Sequence, residues 1–161
     1  MGAWNSFFQG ELGAAAALAG LLFVALSVNQ ARILELGRIA DRGLEALAML
    51  FMVIVVASLG LIPGQPPRLL GGEVSAAAVL TLAALIPVQR SFMRDVEEQY
   101  RRSSRLMVGV SSASVLLIAV AGAVLAWRGD AIGLYILPAG ILMTFAAIGG
   151  NAWVLLIEIN R

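Results

Sequence analysis

Side chains able to do chemistry are few in this chain, and those lying beside apolar stretches fall into two groups. The first is on the last apolar stretch, 133–158, where Leu137, Thr144, Asn151 and Glu158 stand one heptad apart and Gly133, Gly140 and Ala147 form a second row beside them. Seven residues are about two helical turns, so both rows share one face of a helix. An amide and a carboxylate on that face are costly in hydrocarbon, and small residues bury little there. The seam is therefore expected to face protein or a water-filled space. The second group is Asn29, Gln30, Arg38, Asp41, Arg42 and Glu45, around the connection between the first two apolar stretches. With Asn151 and Glu158 it is expected to form a polar rim at one depth. That rim has two readings. It is either a hydrogen-bonded network that fixes helix register, with Glu158 paired to an arginine, or a vestibule where Asn151 and Glu158 meet permeating ions or a partner. The network is the simpler, because interhelical amide contacts are common adhesive elements in membranes.

The residue types exclude a good deal. The chain has no cysteine and no histidine, which removes disulfides, Cys/His zinc sites, haem ligation and catalysis by either residue. All 11 basic residues are arginine, so no lysine Schiff base can form. The most polar groups at mid-depth are Thr81, Ser114 and Thr144, whereas intramembrane proteases and proton pumps place ionisable groups there. No enzyme, cofactor or metal site is expected. A net charge of +1 gives no general attraction to nucleic acid.

The elements that must position these residues are apolar helices. Of 161 residues, 60% are hydrophobic and 13% charged, with a mean hydropathy of +0.91, which points to an all-α integral membrane protein in one domain. Five spans are expected, at about 8–30, 45–62, 70–90, 106–127 and 131–157, each near the roughly 20 residues that cross hydrocarbon. The amino-terminal segment lacks a positive region, so the first span reads as a retained helix. Gly13, Ala17 and Gly20 make a smooth strip along it on which another helix could approach closely.

The third span is the weakest, with about 16 uncharged residues from Val74 to Gln89 that Leu69, Leu70, Phe92 and Met93 could lengthen. After it, Glu97 with Arg101 and Glu98 with Arg102 are i,i+4 pairs, and Met93, Val96 and Tyr100 fall on one face. The segment reads as a helical extension ended by Ser103-Ser104. Arg90, Arg94, Arg101, Arg102 and Arg105 along it are candidates for contact with anionic lipid or a soluble partner. Pro63-Gly64 with Pro66-Pro67, and Arg128-Gly129-Asp130, read as tight turns.

Alternation of five spans puts nine arginines on one side and only Arg68 and Arg128 on the other. The positive-inside rule then sets the amino terminus outside and the carboxyl terminus in the cytoplasm.

The stretches GAAAALAGLLFVALSVN in the first span and NAWVLLIEI in the last resemble a family of small bacterial multi-pass membrane proteins of unassigned role, some of them provisionally labelled modulators of a membrane protease. The resemblance implies a bacterial cytoplasmic membrane location and carries no functional residue. The expected function is a non-enzymatic regulatory or scaffolding subunit, a homo-oligomer or part of a larger membrane complex. Helix–helix contact along Gly140, Thr144, Ala147 and Asn151 would be its mechanism. The alternative is a small oligomeric channel or transporter lined by the same seam.

Overall fold

A computed structural model describes residues 4–29, 37–96 and 98–159, with 37–39, 95 and 152–159 described by backbone alone. The described residues form five helices and no strand. They are α1 (Asn5–Val28), α2 (Gly37–Gly60), α3 (Pro67–Asp95), α4 (Arg101–Arg128) and α5 (Ile132–Ile159), with a 3-10 turn at Glu98–Tyr100 directly before α4. Each is long and apolar enough to cross a membrane.

The turns follow from residues with restricted or permissive backbones. Gly64 and Gly129 take positive φ, at 69° and 70°. Pro66 is extended and Pro67 opens α3, where a missing N–H costs nothing, and Pro66 O accepts from Leu69 N and Leu70 N at 3.0 and 3.1 Å. Gly129 closes α4 through its N–H to Leu125 O at 2.9 Å. Asp130 then accepts from Ile132 N at 3.1 Å and opens α5.

The third span lengthens in both directions, giving a helix of 29 residues in which Pro87 sits without ending it. The extension beyond it is not continuous. The chain breaks at Val96, which is extended and buried, and Ser103-Ser104 lie inside α4 instead of ending a helix. Tyr100 is exposed while Val96 is buried, so the anticipated common face with Met93 does not exist. Glu98 lies in the 3-10 turn that leads directly into the helix carrying Arg102, and Glu97 lies outside the described residues. The reason is tertiary. α3 must reverse direction to pack along α4, and that packing is close. A Cβ on Gly71 would lie 2.3 Å from Ala126 N, one on Gly122 would lie 2.7 Å from Ser75 N, and Ser75 Oγ donates to Ala119 O at 3.1 Å.

α4 is the central helix, packed on both α3 and α5, while α2 bridges α1, α3 and α5. The core between them is built from side chains such as Met49, Leu50, Leu70, Leu85, Ile118 and Ile141. α1 lies at the edge, packed mainly on α2 through Phe8, Ala15 and Ala19. Phe8 fits over Gly60, where an added Cβ would come within 2.7 Å of its ring. At the same end Trp4 meets Tyr135 edge-on at 5.1 Å, joining the starts of α1 and α5.

Candidate functional site

The seam on α5 is buried by the chain itself. Gly133, Leu137, Gly140, Thr144 and Asn151 are buried and Ala147 is half-buried. A Cβ at Gly133 would lie 2.6 Å from Ala121 O, and one at Gly140 would lie 2.6 Å from Ile118 Cγ1. Both contacts are on α4. The glycine row therefore serves a close α4–α5 contact within one protomer. Thr144 Oγ1 donates to Gly140 O at 2.9 Å, one turn back on its own helix, so its hydroxyl is satisfied without a neighbour.

Asn151, the last seam residue whose side chain is described, begins a polar network. Its Oδ1 accepts from Nη1 of Arg42 on α2, a contact buried from solvent. The same guanidinium nitrogen lies 3.3 Å from Met107 Sδ on α4, and Arg42 Cζ sits 4.1 Å above the Phe92 ring on α3. Arg42 is thus contacted from three other helices. A guanidinium tolerates this because it is weakly hydrated and can stack on an aromatic face. One turn along α2, Glu45 faces a second chain of contacts: Gln89 Nε2 donates to Glu45 Oε1 at 2.9 Å, and Ser112 Oγ donates to Gln89 Oε1 at 3.1 Å. This joins α2, α3 and α4. Arg42, Glu45 and Asn151 are 5%, 3% and 1% exposed, so water cannot replace these partners.

The network gathers only part of the anticipated rim. Asn29 turns away, donating to Ala25 O of its own helix at 2.9 Å. Asp41 is half-buried. Gln30 and the side chains of Arg38 and Glu158 lie outside the described residues. Arg90, Arg94, Arg101, Arg102 and Arg105 are all exposed around the same end of the bundle, whereas Arg68 and Arg128 lie at the other. At that other end Gln65 Nε2 donates to Glu73 Oε2.

Gln89, Phe92, Met107 and Ser112 also belong to the network, and sequence reasoning missed all four. A serine in an apolar helix ordinarily bonds back to its own backbone. Ser114 does so, to Ser111 O at 2.8 Å, while Ser112 reaches across to α3. A signal was available for Gln89, because a carboxyl on the apolar face of α2 requires a donor at the same depth. The arrangement can hold four helices in register. Among the described residues it brings together no group of three metal-ligating side chains. One polar atom is left over, Asn151 Nδ2, which is buried without a hydrogen-bond partner among the described residues.

Compared with known protein families, curated proteins and solved structures, the chain matches none of them.

Proposed function

We propose that this chain is a non-enzymatic subunit of the bacterial cytoplasmic membrane, with its amino terminus outside, which regulates or scaffolds a membrane complex by lateral helix association. The observation that carries the reading is on α1. The residues opposite its α2-facing stripe are Gly10, Gly13, Ala17 and Gly20, and a Cβ built on any of those glycines meets nothing within 4 Å. The glycines at helix contacts inside the bundle, at 60, 71, 122, 133 and 140, are all occupied by the chain's own atoms. In hydrocarbon a glycine contributes little unless a second backbone comes close, so a bare row suits another transmembrane helix.

This moves the association surface from the α5 seam, which α4 occupies, to α1. A pore lined by Thr144 and Asn151 has no observation in its favour, since both side chains are enclosed within one protomer. The resemblance to proteins labelled as protease modulators offers one kind of partner to try.

The chain lacks native cysteine, so single cysteines report cleanly. In native membranes, Gly13→Cys, Ala17→Cys and Gly20→Cys are expected to give oxidative cross-links, to a second copy or to a heavier partner, and Ala19→Cys, which packs on α2, none. A ladder identical at all four positions, or no product at any, would remove the basis for assembly through α1.

A further inference from the structure

Between α4 and α5, at the arginine-rich end, runs a groove of about 180 Å³ lined by Leu106, Met107, Val110, Ala146, Ala147 and Gly150. It lies beyond the close part of the α4–α5 contact. Gly133 and Gly140 bring α5 onto α4 in the other half of the bundle, with a Cβ at either falling 2.6 Å from α4 atoms. At Gly150, which lines the groove, an added Cβ would meet nothing within 4 Å, so this edge of the α4–α5 contact stays open as a wedge. Leu106 and Val110 are 64% and 40% exposed, so the wedge opens sideways, toward the hydrocarbon that surrounds a spanning helix. Every lining side chain is apolar, and water would gain few hydrogen bonds there.

The open end of the wedge is charged. Arg102, Leu106 and Val110 are spaced i, i+4, i+8 on α4, so Arg102 stands one turn above the groove on the same face, with Arg105 beside it. Both arginines are exposed, and their long stems allow the guanidinium groups to reach the headgroup region. Apolar space beneath two cations matches one class of molecule. We propose that the wedge is a binding site for an anionic glycerophospholipid of the adjacent leaflet, with an acyl chain between α4 and α5 and the phosphate on Arg102 and Arg105. The site has a structural consequence. Met107 lines the groove and also receives the Arg42 guanidinium at 3.3 Å, so the bound chain braces the outer wall of the Arg42–Asn151 network. This site is separate from the α1 surface and does not depend on assembly.

The test uses the full chain in phosphatidylcholine vesicles that carry trace lipid with a photoactivatable group in mid-chain, bearing either a phosphatidylglycerol or a phosphatidylcholine headgroup. Labelled peptides are read by mass spectrometry. The phosphatidylglycerol probe is expected to label segments 107–110 and 146–150 in preference to the phosphatidylcholine probe, and free inorganic phosphate should not compete. Arg102→Ala and Arg105→Ala should each reduce that preference about fivefold, the ratio that about 1 kcal/mol per arginine implies. Ala147→Phe should block both probes, with Gly150→Leu as the substitute if that variant does not insert. Equal labelling of the wild-type chain by the two headgroups would overturn the proposal without any variant. Labelling unchanged by loss of the arginines, or by filling the wedge, would do the same.

Discussion

α1 and the α3–α4–α5 core are built from similar apolar residues yet differ in how far the chain buries them. Among the most apolar windows, 11% of α1 is buried against 44% of α4, and the glycines show why. Gly71, Gly122, Gly133 and Gly140 are points where two helices of one chain touch. Gly10, Gly13 and Gly20 have the same residue type with no neighbour. Small residues in a membrane helix mark a close approach, and what approaches is decided by the rest of the fold. The largest effect expected is therefore at Gly71, where Leu would drive a side chain into the Ala126 backbone, which cannot move aside as a flexible side chain could. Overpacking costs typically about 1–3 kcal/mol, and a backbone obstacle places Gly71→Leu beyond that range. Gly13→Leu should leave the protomer's unfolding midpoint unchanged while abolishing the α1 cross-link. Equal loss of stability from the two substitutions, measured in detergent unfolding, would erase the distinction between the two glycine classes.

The polar network sets the next scale. Asn151→Leu removes an acceptor from a buried guanidinium, a bond to a charged group that contributes about 1.5–3 kcal/mol. Gln89→Leu takes the donor from Glu45 and leaves Ser112 Oγ without its acceptor, at about 1–3 kcal/mol. Both should lower the unfolding midpoint of the reconstituted chain. The double variant should cost the sum of the two if the Arg42 and Glu45 branches are independent, and less if they form one unit. Thr144→Val should cost less than either, because that hydroxyl serves only its own helix. A Thr144→Val loss as large as that of Asn151→Leu would mean that the seam has a polar role its geometry does not display.

Much of this architecture is legible in the sequence. Five apolar runs and the arginines at their ends lead to five helices whose positively charged residues gather at one end, because hydropathy and loop charge are properties of the chain itself. The turn at Gly129 and the helix start at Pro67 are equally local. The break at Val96 is not. Met93, Val96 and Tyr100 satisfy a helical period whether or not the helix continues, and only the need for α3 to fold back along α4 decides the matter. The α5 seam shows the same division. Its spacing tells that the face is covered, but the covering residues on α4, Ile118 and Ala121, resemble any other apolar pair. Asn151 and Arg42 could be placed at one depth by counting from the helix ends. Their partners Phe92 and Met107 could not, since nothing in an isolated Phe or Met announces a cation.

The smallest effect expected is at the end of the bundle away from the network, and it tests whether a turn or a glycine contact holds α4 to α5. Asp130 accepts a hydrogen bond from Ile132 N at 3.1 Å and pairs with Arg128 Nε at 2.9 Å. The backbone bond first, and the Arg128 side chain second, hold its carboxyl below the usual carboxylate range. A folded pKa below the unfolded one gives stability that is present above the unfolded value and lost as pH falls through the folded value. The group is exposed, so solvent screens the gain. Comparing unfolding midpoints of the wild-type chain and Asp130→Asn across that acid range should give a small difference that closes as the pH falls. The hairpin itself should persist in acid, because Gly133 still seats α5 against Ala121 and Leu125, contacts without a titratable group. Separation of α4 from α5 in acid, absent from Asp130→Asn, would instead mean that the charged turn, not the glycine row beneath it, fixes the two helices that form the lipid groove.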